Sequence, residues 1–326
     1  MTTMLMDSCC YYKKMPIHIA FCVNDAYIPY ITVTLMSIAE NHKDDEVIIH
    51  IFSDYISQKQ KLRLDKVVNP YPNLTLSIQM VDDSALRGLK DTWTIYTWYR
   101  VLLPLYLSSE IHRVLYLDAD TIVASNIREL FFMDMSDKAI ACVIDSESVN
   151  SGTYSRLKYD SSKKYVCAGV MLMNLDYWRE KDLSSTIIKW GYDHNDIIRF
   201  PDQDTINVLC RDTKIVLPLR YGIMDYFFKN DFFYKEPYAQ ELRDCIEHPA
   251  IIHYAGMNPW KRELATSLMQ DEWEKYNKML PHPVKKEYIT KGWNLVKMYI
   301  WNILHPSPKT STLTRGDVLN KLNSCQ

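Results

Sequence analysis

Short apolar runs alternate with segments of helical periodicity over the first 120 residues, and this alternation restricts the fold more than any other feature. The apolar runs, each of strand length, span residues 18–23, 47–52, 74–81 and 114–117. The segments with helical spacing between them span residues 31–41, 57–69 and 94–105. Strands separated by helices predict an α/β fold built on a mostly parallel, doubly wound sheet. In such sheets ligands bind beyond the carboxyl ends of the strands, which is where Asn24 and Asp118 fall.

The composition narrows the class of function. A net charge of −2 over 326 residues gives no sign of the basic domain expected of a nucleic-acid-binding protein. The eight cysteines are scattered without a C-x-x-C pair, which favours free thiols in a reducing compartment and argues against a zinc site. No stretch approaches the ~20 apolar residues needed to span a bilayer. We therefore expect a cytoplasmic protein that can still lie on the inner face of a membrane.

The sharpest local motif is RVLYLDADTIV, an apolar strand that runs into Asp118-Ala119-Asp120. Two carboxylates two residues apart in extended backbone point the same way and can share one divalent cation. A nucleotide-sugar transferase uses such a cation to neutralise the diphosphate leaving group. The alternative to a metal site is a solvated strand end. The apolar, buried character of the preceding strand favours the metal site.

A phosphatase is a competing interpretation of the same motif. LYLDADT also fits the nucleophile motif of haloacid-dehalogenase phosphatases, in which the first aspartate would be Asp118. That motif normally ends the first strand of its domain, whereas about a hundred residues of strands and helices precede it here. The downstream G-D-x-x-x-D that such enzymes require is absent, because Gly316-Asp317 is followed by Lys321.

Two further segments carry chemically useful residues. Pro201-Asp202 is typical of a helix start, and Gln203 and Asp204 follow in the first turn; helix capping alone could explain Asp202. His253 ends an apolar run and could be a core histidine. Together with two carboxylates, its imidazole would suit Mn²⁺ better than Mg²⁺, which prefers oxygen ligands throughout.

Five segments that lie in order within residues 17–261 resemble the family-8 glycosyltransferases. AFCVNDAYIPYITVTLMSI resembles the family's uridine-binding strand, and RVLYLDADTIV resembles its metal motif. CAGVMLMNLDYW resembles the donor-sugar strand, and FPDQDTINVL resembles the helix beside the reacting carbon. IIHYAGMNPWK resembles the block that binds the diphosphate. The resemblance implies a GT-A type, Rossmann-like mixed sheet flanked by helices. It also implies a metal-dependent hexosyltransferase that takes glucose or galactose from a UDP-sugar and retains the anomeric configuration.

The resemblance assigns roles to particular residues. The metal ligands would be Asp118, Asp120 and His253, with Mn²⁺ or Mg²⁺ as the ion. The catalytic residues would be Gln203, under the anomeric carbon, with Asp202, Arg100 and Asp204. Residues expected to contact the donor are Cys22, Asn24, Tyr27, Arg100, Asp118, Ala119, Asp120, Cys167, Ala168, Gly169, Asp202, Gln203, Gly256 and Lys261. Asp145 is expected on the acceptor side. The partners would be a UDP-sugar and a glycan or glycolipid acceptor, in lipopolysaccharide, capsule or other surface-glycan synthesis.

Three positions depart from the family pattern. Asn24 stands where many relatives have Asp, although its amide oxygen can still accept from the uracil N3 hydrogen. Cys167 stands where an Asn usually contacts the sugar. Asn258 occupies the position of the diphosphate lysine, and Lys261, three residues on, is the candidate replacement. These departures keep open a second interpretation, a sugar-nucleotide-binding protein without catalytic activity.

The sequence divides into a loose leader over 1–15, a catalytic domain over 16–280 and a C-terminal tail over 281–326. Residues 285–304 form one amphipathic helical stripe with four lysines and aromatic rings. Such a helix suits the surface of an anionic membrane, where several bacterial relatives of the family modify lipid-linked acceptors. The alternative is that the stripe packs on the catalytic domain.

Overall fold

The computed structural model describes residues 15–92, 94–262, 266–287 and 313–324. The strands of the described part are β1 Ile17–Cys22, β2 Val47–Ser53, β3 Leu74–Met80, β4 Arg113–Leu117, β5 Thr121–Val123, β6 Ile140–Ile144, β7 Val166–Asn174, β8 Lys214–Val216 and β9 Ile251–His253. The α-helices are α1 Ile28–Asn41, α2 Gln58–Val68, α3 Tyr96–Tyr106, α4 Arg128–Phe131, α5 Ser151–Leu157, α6 Leu175–Glu180, α7 Leu183–Asp193, α8 Pro201–Leu209, α9 Asp225–Lys229, α10 Tyr238–Glu247, α11 Gln270–Met279 and α12 Arg315–Ser324.

Seven strands form one mixed sheet in the order β3-β2-β1-β4-β7-β6-β8. All neighbouring pairs are parallel except those of β7, which runs antiparallel to both β4 and β6. The helices cover both faces because every second side chain of a buried strand points to the opposite face. The predicted α/β fold with a mostly parallel, mixed sheet is therefore confirmed.

Apolar packing holds helices on both faces of this sheet. On one face α1 buries Ile31, Leu35 and Ile38 against β1 and β2, whereas Trp98 and Leu102 of α3 pack on the other face. Pro29 stands in the first turn of α1, where a missing N–H costs nothing. These contacts fix α1 and α3 on opposite sides of β1, so that both reach the carboxyl edge of the central strands.

A small two-stranded sheet lies beyond the end of β4. Strand β5 follows β4 after three residues, Asp118 to Asp120, and pairs antiparallel with β9, placing Thr121 opposite His253. The Thr121 hydroxyl donates to the Asp118 carbonyl (2.8 Å), which stabilises the turn. This sheet brings together two segments that lie about 130 residues apart in sequence.

The C-terminal residues of the described part return to the main body. Helix α12 buries Val318 and Leu322, Lys321 forms an ion pair with Asp231 (2.5 Å), and the Arg243 side chain on α10 donates to Asn323 (2.8 Å). The stripe predicted over 285–304 lies outside the described residues from 288 onwards. Within the described ranges, no helix is both long enough and apolar enough to cross a bilayer, and the five cysteines there are buried and unpaired.

Candidate metal and donor site

Asp118, Asp120 and His253 converge at the carboxyl end of β4. One ligand atom from each lies within 4.8 Å of the others. His253 Nε2 is 3.6 Å from Asp118 Oδ2 and 3.4 Å from Asp120 Oδ1. Two carboxylates and one imidazole form a donor set that fits a divalent transition metal. These three residues could therefore hold one such ion together.

The route to this convergence differs from the predicted one. The backbone is not extended through Asp118 and Asp120, because Ala119 and Asp120 form the turn between β4 and β5. The turn folds the second carboxylate back towards the first, and the pairing of β5 with β9 adds the imidazole. The Tyr254 backbone N–H donates to the Asp120 carbonyl (2.9 Å), which holds the far side of the turn.

A network of donors orients the Asp118 carboxylate. Its Oδ1 accepts from Arg100 Nη2 (2.9 Å) and from the Tyr116 hydroxyl (2.7 Å), so Oδ2 faces His253. Burial acts to raise the pKa of Asp118, but Arg100 and His253 outweigh it and hold the pKa below its ordinary value. Tyr116 was not predicted as a site residue, although its position two residues before Asp118 on the same strand face was a usable signal.

His253 is held between the two carboxylates and a thiol. Its Nδ1 lies 3.6 Å from the Cys167 sulfur. Burial acts to lower the pKa of His253, but Asp120 raises it well above its ordinary value. Cys167, the position that departs from the family pattern, thus lies behind the imidazole, on the side away from the carboxylates. Burial raises the pKa of the Cys167 thiol.

Arg100 connects the Asp118 carboxylate to the start of helix α8. Its Nη1 donates to the Ala168 carbonyl (2.6 Å) and its Nε to the Thr97 carbonyl (2.8 Å). Asp202 Oδ2 lies 3.1 Å from Arg100 Nε. Because that N–H points at Thr97, Asp202 Oδ2 is left buried without a hydrogen-bond donor. Burial, partly offset by Arg100, raises the pKa of Asp202 to about 6.

Gln203 and Asp204, which follow Asp202 on α8, differ in their surroundings. Gln203 Oε1 accepts from the Ala168 backbone N–H (2.9 Å), which ties the amide to β7 beside the Asp-Asp-His cluster. The Asp204 carboxylate accepts from Arg156 (2.6 and 3.2 Å) and from the Tyr165 hydroxyl (2.7 Å). It also accepts from two backbone N–H groups before the helix. Asp204 is fully buried, and these hydrogen bonds fix the first turn of α8.

The residues predicted to bind uridine lie at the end of β1. Asn24 Oδ1 accepts from the Tyr27 backbone N–H (3.1 Å) and so caps a short 3₁₀ turn. Tyr27 is 43% exposed and meets the Trp260 ring edge to face at 6.1 Å. Cys22, the last residue of β1, is buried. Asp25, not predicted as a site residue, fixes this corner by accepting from the Ser57 N–H (2.7 Å).

The remaining predicted residues surround this centre. Gly256, with φ of +75°, lies in an open loop after His253. Lys261 ends that loop and forms an ion pair with Glu287 (2.6 Å), a partner the sequence did not indicate. Asp145 follows β6, where burial raises the pKa of its carboxyl and the Glu147 N–H donates to it (2.9 Å).

The fold and the Asp-Asp-His cluster define the class of protein, a glycosyltransferase of the GT-A type. A family model described as glycosyl transferase family 8 matches residues 18–264. The chain belongs to that family. Neither the phosphatase nor a binding protein without activity is favoured by this membership.

Three similar proteins illustrate the match. A lipopolysaccharide 1,2-glucosyltransferase of Escherichia coli is 28% identical over 256 residues, which cover 76% of this chain and 74% of the relative. A lipopolysaccharide 1,3-galactosyltransferase of Salmonella typhimurium is 24% identical, with 74% and 72% covered. A crystal structure of the galactosyltransferase LgtC, in complex with donor and acceptor sugar analogues, superposes with a TM-score of 0.73 at 23% identity. It covers 81% of this chain and 96% of that one, and it supports the fold.

Proposed function

We propose that this protein is a retaining hexosyltransferase that transfers glucose or galactose from a UDP-sugar to a hydroxyl of a surface glycan, most directly lipopolysaccharide. The observation that carries the proposal is the convergence of Asp118, Asp120 and His253 beside Asp202 and Gln203. The relatives named for lipopolysaccharide glucosyl and galactosyl transfer favour this acceptor class over others.

The donor set favours Mn²⁺ over Mg²⁺, because an imidazole joins the two carboxylates. When bound, the ion neutralises the negative charge that develops on the leaving diphosphate. Arg100 and Tyr116 keep the Asp118 carboxylate in a ligating orientation, which is the usual contribution of outer residues to a metal site. Mn²⁺ and a UDP-hexose are therefore the proposed cofactor and donor.

The unsatisfied Asp202 Oδ2 supports a sugar contact. A buried acceptor without a donor is costly, and a hydroxyl of the donor hexose would satisfy it. Gln203, fixed through Ala168, lies on the same helix turn and is the residue we assign to the reacting carbon. Asp204 is saturated by its protein donors, so we assign it to support of α8 and not to contact with substrate. Asp145 remains our candidate on the acceptor side.

The uridine would lie on Tyr27 at the end of β1, with Asn24 oriented towards its base edge. Asn24 Oδ1 already accepts one backbone N–H, and its second lone pair is available for the uracil N3 hydrogen. We place the protein in the cytoplasm, on the inner face of the membrane, where such donors and lipid-linked acceptors meet. Contact through 285–304 is part of this proposal.

A panel of nucleotide-sugars tests the function. We expect Mn²⁺-dependent release of UDP from UDP-glucose or UDP-galactose, and little from GDP- or CMP-sugars. With a truncated lipopolysaccharide acceptor, proton NMR of the product should show the α-anomeric configuration of the donor. A product of inverted configuration would contradict the retaining assignment. Binding of UDP-sugars without any turnover, with or without acceptor, would favour the binding protein.

A further inference from the structure

Glu287 holds Lys261 by both its backbone and its side chain. The Glu287 N–H donates to the Trp260 carbonyl (2.9 Å), and the Arg262 N–H donates to the Glu287 carbonyl (2.9 Å). These two bonds flank Lys261. Between them, Lys261 Nζ lies 2.6 Å from Glu287 Oε2. Glu287, which follows the predicted catalytic domain (16–280), therefore holds the loop after His253 in place.

Aromatic rings give this contact a rigid base. Trp260 is buried and stacks on Tyr30, with ring centroids 4.0 Å apart and planes at 10°. Burial and the Glu287 carboxylate, which accepts from the Tyr30 hydroxyl, raise the pKa of Tyr30 to about 12. The backbone around Lys261 is thus fixed, whereas the lysine side chain is 27% exposed and the glutamate side chain 50% exposed.

Lys261 lies close to the donor site. The loop that carries it begins at His253 and Tyr254, and Tyr27 meets Trp260, its neighbour in sequence. Burial raises the pKa of Tyr27. Asp120 adds to this effect and Lys261 opposes it, so charges from the metal site and from this lysine act on the same ring. Asn258 stands where the family has its diphosphate lysine. Among the lysines of the described residues, Lys261 is the nearest to that position in sequence.

We propose that Glu287 sets the affinity for the donor by competing with its diphosphate for Lys261. This inference rests on the proposed function. A diphosphate carries more negative charge than one carboxylate, so Lys261 transfers to it when the donor binds. The half-exposed Glu287 carboxylate is then solvated by water, and its backbone bonds to Trp260 and Arg262 stay in place. The exchange breaks one ion pair and forms a stronger charged contact.

Titration of UDP in the presence of Mn²⁺ tests the competition in the full chain. Glu287→Gln should bind UDP about two- to fivefold more tightly than the wild type, the scale of a half-exposed ion pair. Gln retains a side-chain acceptor for Tyr30 and leaves the backbone bonds unchanged. Lys261→Met should bind several-fold more weakly than the wild type. In the Lys261→Met background, Glu287→Gln should make no difference.

Glu274→Gln is the matched control. Glu274 also pairs with a lysine, Lys286 (2.5 Å), in the same region, and its replacement makes the same charge change. We expect it to leave UDP affinity as in the wild type. An affinity of Glu287→Gln equal to or below that of the wild type would overturn the inference. So would a gain that persists without Lys261, since it would reflect general electrostatics. A wild type that binds no UDP would overturn the proposed function as well.

Discussion

Gly169 on β7 lies directly against His253, and a β-carbon placed on Gly169 would stand 2.2 Å from the imidazole Cε1. The same β-carbon would stand 2.6 Å from Asp118 Oδ2. Real β-carbons essentially never approach so closely, so two of the three proposed metal ligands need the hydrogen of this glycine. The Gly169 carbonyl also accepts from the Asp118 N–H (2.8 Å), which fixes the register of the two strands.

Gly169→Ala should therefore weaken Mn²⁺ binding by at least tenfold, because His253 and Asp118 must move apart. The β7 backbone can stay in place, so we expect a folded protein with a modest loss of thermal stability. Mn²⁺ affinity, measured by electron paramagnetic resonance of the free ion, checks this. Gly316→Ala, in α12, meets only Thr314 at 3.7 Å and is the control. Unchanged Mn²⁺ affinity in Gly169→Ala would contradict the placement of the metal.

Arg156→Met should destabilise the fold by about 3–5 kcal/mol, because it leaves the Asp204 carboxylate buried without its charge partner. Arg156 on α5 and Asp204 on α8 form an ion pair at 2.6 Å, and Asp204 is fully buried. Urea unfolding monitored by tryptophan fluorescence measures the effect. The exposed pair of Lys189 and Asp193 supplies the control, Lys189→Met, for which we expect less than about 1 kcal/mol. Similar small effects from both substitutions would show that the buried Asp204 carboxylate does not depend on its ion pair with Arg156.

Sequence reasoning reached the fold and much of the centre because those features are local or patterned. Apolar runs and helical spacing predicted β1 to β4 and α1 to α3 within a few residues. The Asp118 motif followed from its strand, and the resemblance added His253. The ion pairs of Asp204 with Arg156 and of Lys261 with Glu287 were out of reach, because nothing near either residue indicates a distant partner.

Local backbone conformation also limited what could be predicted from the sequence. Asn258 has φ of +40°, a left-handed conformation that Asn tolerates better than Lys. The departure from the family at this position is therefore consistent with a change in loop geometry as well as a change of side chain. The turn at Ala119 and Asp120 likewise could not be predicted from strand periodicity. The Asp118 and Asp120 carboxylates nevertheless lie close together.

Replacement of Lys291 and Lys297 by Gln should reduce binding to anionic vesicles at low salt by roughly tenfold or more, since each lysine near such a surface contributes about 1 kcal/mol. Both residues lie in the predicted stripe, outside the described residues. Truncation near Pro283 would be a poorer test, because it also removes the buried Val318 and Leu322 of α12. Co-sedimentation with phosphatidylserine vesicles measures binding. Replacing the exposed Lys181 and Lys189 makes the same charge change elsewhere. Equal losses from both pairs would contradict a specific membrane contact.

The most direct test of the account is Mn²⁺-dependent release of UDP from the preferred UDP-hexose by Asp120→Ala. Asp120 supplies one of the three converging ligand atoms, so its removal should lower turnover by about 100-fold or more while thermal unfolding changes little. Asp137→Ala, at a carboxylate that is 81% exposed, should behave as the wild type. Turnover near the wild-type rate in Asp120→Ala, with the same dependence on Mn²⁺, would contradict the metal site and the mechanism built on it.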